Sequence, residues 1–122
     1  MGLNWSSDEL TQEREKKAAE ALHELVWDPS RIISVASIRE IWLNSSLTSV
    51  SSVHWLRNEM RNAEAEQVRK MKAFGKNGAH NWADYHYDMS MRYLDARVSL
   101  TSMLYGTHAP DSAARIQVEL RS

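Results

Sequence analysis

Apolar residues return every third or fourth position along most of this chain, and that rhythm limits it to helical folds. A repeat near 3.6 residues lines one side of an α-helix, whereas a half-buried strand needs a repeat of two. Four stretches keep the helical rhythm, and residues that start or stop helices bound each of them. The first is expected over residues 7–27, with Leu10, Ala18, Ala21, Leu22, Leu25 and Val26 on its apolar side. Ser6 and Glu9 have the spacing of a capping box, in which each side chain satisfies a backbone amide of the other. Asp28-Pro29 ends this helix, because proline disfavours helical geometry in the residue before it.

Asp28-Pro29 is equally suited to open a second helix, expected over 30–43, with Ile32, Val35, Ile38, Ile41 and Trp42 recurring at helical spacing. Asn44 reads as its left-handed terminator and Ser45-Ser46 as a turn. The third helix is expected over 48–74, carried by Val50, Val53, Leu56, Met60, Ala63, Val68, Met71 and Phe74. Gly75-Lys76-Asn77-Gly78 breaks it. The fourth is expected over 82–105, with Asn81 as its cap and Gly106 as its end. Its main stripe is Trp82, Tyr85, Met89, Tyr93, Ala96, Leu100 and Leu104, and a second stripe of Tyr87, Met91, Leu94, Val98 and Tyr105 lies on another side. A helix apolar on two sides must be covered on two sides, either centrally in a bundle or by a partner chain.

Residues 107–122 read two ways. Arg115 to Arg121 alternates polar and apolar, the period of a strand, while Asp111 would equally cap a short helix. A lone strand leaves its backbone groups unpaired, so the strand reading requires another copy or another protein. The expected architecture is one all-α domain over residues 1–122. It is a bundle of four main helices, with a C-terminal strand or helix exchanged at a subunit interface.

Composition then removes several functions. The 122 residues include no cysteine, which excludes a disulfide framework, a thiolate zinc site and a cysteine nucleophile. No apolar run approaches the roughly 20 residues needed to cross a bilayer, and Met1 to Glu9 carries no signal-like segment. A cytoplasmic location without membrane partners is the expectation. A net charge of −1 gives little support to nucleic-acid binding, which usually goes with a basic excess.

Motifs that carry chemistry are sparse. Glu20-x-x-His23 has the spacing of di-iron bundle sites, but the second such pair that those sites need is missing. His80 with Asp84 and His86 with Asp88 complete no further ligand set, so neither metal nor cofactor is expected. No glycine-flanked nucleophile elbow or phosphate-cradling loop is present, and the chain is not expected to be an enzyme. His54, beside Trp55, reads as a packing residue.

Three binding functions remain. Residues 34–57 resemble a generic helix-turn-helix, which would present Ser49, Ser51, Ser52 and Arg57 to a DNA groove. That turn lacks glycine and the segment has few phosphate-binding cations. A second alternative is an oligomeric binder of a small anion or nucleotide, with Arg69, Lys72, Lys76 and His80 around the glycine loop. The leading expectation is a non-catalytic, homo-oligomeric module, a dimer or larger, that binds another protein. Five tryptophans and four tyrosines supply the kind of rings that dominate interface energetics. Trp42, Trp55 and Trp82 are assigned to the core. Trp5, Tyr85, Tyr87, Tyr93 and Tyr105 are assigned to the interface, with Ile116, Val118 and Leu120 of the tail. By analogy of character alone, such a protein suits a phage or mobile-element accessory role, inhibiting or adapting a host protein.

Overall fold

A computed structural model describes residues 7–106 of the chain. They form an all-α four-helix bundle of α1 (Ser7–Trp27), α2 (Val35–Asn44), α3 (Val50–Lys76) and α4 (His80–Gly106). The frame is the pair of long helices, each 27 residues, folded back on one another through a three-residue connection. Their antiparallel register is fixed by Gly75 beside Ala83, Gln67 bonded to His86, and Glu64 bonded to Arg97. α1 lies across both members of this hairpin, while α2 rests on α4 and α1 and makes no close backbone approach to α3.

All four helices feed one buried cluster. Leu22 and Leu25 of α1, Ile38 of α2, Leu56 and Met60 of α3, and Leu100 of α4 have essentially no exposed surface. Each such side chain contributes about 1.5–3 kcal/mol by leaving water. Trp42 and Trp55 pack against the cluster with part of each ring exposed. Among the described residues, no helix is long and apolar enough to cross a membrane.

The helix limits show which local signals prevail. α1 keeps the expected bounds, although Leu10 is exposed rather than part of the apolar face. The last turn of α1 holds no basic residue, and Arg92 of α4 supplies the missing cation from outside. Its Nε donates to the Val26 carbonyl at 2.6 Å, and its Nη2 lies 2.8, 2.9 and 3.0 Å from the carbonyls of Leu25, Asp28 and Arg31. Leu25 and Val26 lie in the last turn of α1, where a helix leaves its carbonyls without intrahelical partners, and Asp28 and Arg31 lie in the segment that follows.

α2 starts at Val35, later than expected, because Asp28 does not cap it. The Asp28 carboxylate accepts instead from the backbone and hydroxyl of Ser30, and both bonds hold its pKa below the usual value. Ile32 is consequently outside the helix and exposed. The true cap is Ser34, whose side chain accepts from Ser37 N while the Ser37 hydroxyl accepts from Ser34 N, a reciprocal capping box. At the other end Asn44 is helical, and Ser46, with φ 59°, takes the left-handed position.

Ser49 caps α3, which runs through Gly75 to Lys76. The break falls at Asn77 to Ala79, where Gly78 adopts a φ of 80°. Ala79 then accepts the first bond of α4 from Ala83 N, so Asn81 sits inside the helix rather than before it. The Ser6 half of the expected capping box and the strand-or-helix alternatives for residues 107–122 lie outside the described residues.

Candidate protein-binding surface

At the end of the bundle where α1 stops and the α3–α4 hairpin turns, aromatic rings form a connected ridge. Phe74 of α3 stacks on His86 of α4 with centroids 5.3 Å apart and planes 5° from parallel. Phe74 also meets Trp82 at 6.1 Å, Trp82 meets Tyr85 edge-on at 6.0 Å, and Tyr85 meets Trp27 of α1 at 6.1 Å. These separations are those of favourable edge-to-face and offset ring pairs. Local sequence explains the assembly. Trp27 is the last residue of α1, Phe74 lies in the last turn of α3, and Trp82, Tyr85 and His86 occupy the first two turns of α4.

The floor of the ridge is polar and satisfied. The buried His86 donates through Nδ1 to Gln67 Oε1 at 2.6 Å. Trp27 Nε1 donates to the Tyr93 hydroxyl at 2.8 Å, and that hydroxyl lies 2.7 Å from His23 Nδ1. An indole can only donate, so the Tyr93 oxygen accepts from Trp27 and its own proton can pass to His23. Burial pushes the Tyr93 pKa above its ordinary value of 10.0, and the Trp27 bond partly opposes that shift. Trp27 is thereby pinned to the core by its nitrogen while much of its ring faces outward.

The upper side of the ridge is exposed: Trp82 by 58%, Tyr85 by 42% and Trp27 by 41%. Tyr87 and Met91, one turn apart on α4, are exposed as well, and Leu94 and Val98 of the same stripe are half-buried. The second apolar side of α4 therefore is not closed over by the described helices. A separate apolar groove of about 300 Å³ opens between Trp42, Leu43, Val50, Val53, Met103 and Leu104, with Arg39 and Thr48 also lining it.

Several sequence expectations move. Tyr93 is a core residue, not a surface one, because its stripe position is shared with Met89, Ala96 and Leu100. Trp82 is the reverse case, with the correct phase for the core. In the first turn of α4, however, it meets the rings of Phe74 and Tyr85 and most of it stays exposed. Tyr85 and Tyr87 are exposed, and Tyr105 is half-buried. Trp5, Ile116, Val118 and Leu120 lie outside the described residues. Trp27, the residue that joins α1 to the ridge, was missed as a site residue; a tryptophan at a helix end was the available signal.

The two alternative sites are dispersed. Ser49 and Ser51 bond to each other through their hydroxyls at 2.7 Å, Ser52 is fully buried, and Arg57 is half-buried. These serines do not form one presented row, and α2 makes no close backbone approach to α3. Of the anion set, Arg69 is bound to Glu66 by two guanidinium contacts. His80 lines a shallow cavity formed by residues 78–82, and Arg69, Lys72 and Lys76 do not line it. Glu20 and His23 gain no further ligand, and no three metal-binding side chains gather among the described residues.

No protein-family model, curated protein or solved structure matches the chain.

Proposed function

We propose that this chain is a non-catalytic protein-binding module that works as a homo-oligomer, with the aromatic ridge at its centre and the Tyr87–Met91 stripe beside it. The observation that carries this reading is the state of Trp27, Trp82 and Tyr85. Each ring is held by its neighbours, yet each leaves about half its area in water. Rings already fixed lose little further freedom on binding, so their burial favours association with a small entropic penalty. Aromatic anchors of this kind dominate interface energies. A second copy of the chain is the first occupant in this reading, because an exposed apolar patch can pair with the same patch on another copy about a two-fold axis. Another protein then binds the assembled helical surface.

Light scattering on the eluted native protein tests the reading. The expected mass is at least twice 14.0 kDa. The double variant Trp82→Ser, Tyr85→Ser should elute as a monomer that still unfolds cooperatively, its melting temperature lowered only by the loss of the ring contacts within the ridge, since neither residue belongs to the buried core. A wild-type monomer at high micromolar concentration would refute self-association through this face.

A further inference from the structure

Two ion pairs involve α3: Glu66 with Arg69 on the same helix, and Glu64 with Arg97 across to α4. The stripe of His54, Arg57, Asn58 and Arg61 is different. These residues are three, four and seven apart, so they lie on one side of the helix. Together they line a polar cavity of about 150 Å³. Among the described residues, no carboxylate lies within 4.0 Å of Arg57 or Arg61. Two guanidinium groups one turn apart repel each other, and among the described residues no ion pair offsets that. The Nε of Arg57 is buried and has no acceptor among the described residues. The cavity thus combines the two guanidinium groups, which can only donate hydrogen bonds, with the Asn58 amide and the His54 ring, each able to donate or accept.

We propose that this stripe is a binding site for a tetrahedral oxyanion, a phosphate group. Planar guanidinium groups match two phosphate oxygens at once, and two of them one turn apart can grip a single group from either side. The Asn58 amide and the His54 ring add further donors at the rim. The same chemistry is available from free inorganic phosphate or from a phosphate monoester. The site does not depend on the oligomeric reading, shares no residue with the aromatic ridge, and is distinct from Arg69, Lys72, Lys76 and His80.

Proton–nitrogen correlation spectra of the native protein, including the arginine Nε–H region, test the proposal. Inorganic phosphate and phenyl phosphate are titrated separately, with ionic strength held constant by chloride. The expected result is a saturating shift at Arg57, Arg61 and His54. Affinity should fall at least tenfold in Arg61→Gln, an exposed position whose loss spares the fold, and should persist in Arg69→Gln. Tighter binding of phenyl phosphate identifies the monoester as the ligand class, and equal binding identifies the bare phosphate group. Shifts that never saturate, that spread equally to Arg69 and Lys72, or that survive Arg61→Gln would overturn the site.

Discussion

Single side chains do much of the joining between helices. Arg92 gathers four carbonyls from the end of α1 and the turn after it. Hydrogen bonds to a charged group contribute about 1.5–3 kcal/mol each, less what water restores at the partly exposed ones. Arg92→Met should therefore cost about 2–4 kcal/mol, read as a lower urea midpoint, and a loss below about 0.5 kcal/mol would mean that water replaces the guanidinium. Tyr93 joins α4 to α1 through Trp27 and His23. Tyr93→Ala should cost about 3–5 kcal/mol, as expected for a large buried ring. Its raised pKa also sets a pH dependence. The unfolded chain ionises this hydroxyl near pH 10 while the folded chain holds the proton. Stability is therefore intact below pH 10 and is lost as pH rises through the folded pKa. Tyr93→Phe should remove that part of the alkaline loss, checked by denaturant titrations between pH 8 and 11. None of these roles was legible in sequence, because the partners of Arg92 and Tyr93 lie more than 60 residues away along the chain.

At the level of elements, hydrophobic rhythm located every helix, and capping serines then decided where α2 and α3 began. The rhythm of the second helix starts at Ile32, but the chain turns helical only where Ser34 and Ser37 satisfy each other's amides. Ser34→Ala should cost about 1 kcal/mol by the usual penalty for losing a cap, measured by thermal unfolding. A similar competition ends α3. Gly75 continues as helix, and Gly78 alone takes the left-handed conformation. A methyl group there would meet nothing within 4 Å, so space is not the constraint. Gly78→Ala should still cost about 1–2 kcal/mol, because an L-residue resists that backbone geometry. An unchanged melting temperature would show that the turn relaxes to another shape.

Across the whole molecule, the helical class and the four-element plan could be read from periodicity alone, since each helix presents a single repeat to one shared core. The surface was legible only in part. Tyr85 and Tyr87 stand out from sequence as surplus rings, but Trp82 has a core-like phase and is uncovered only because the hairpin ends there. Sequence spacing describes phase around a helix and not how far along it the neighbouring helices reach. The long hairpin has one more consequence, which concerns synthesis. A ribosome delivers α1 and α2 first, and the partners of Leu22, Leu25 and Ile38 arrive only with Leu56, Tyr93 and Leu100. At roughly 5–20 residues per second, the early half waits several seconds with its greasy flank open. Nascent chains of this protein are therefore most in need of chaperone cover midway through translation, before the second long helix has left the exit tunnel.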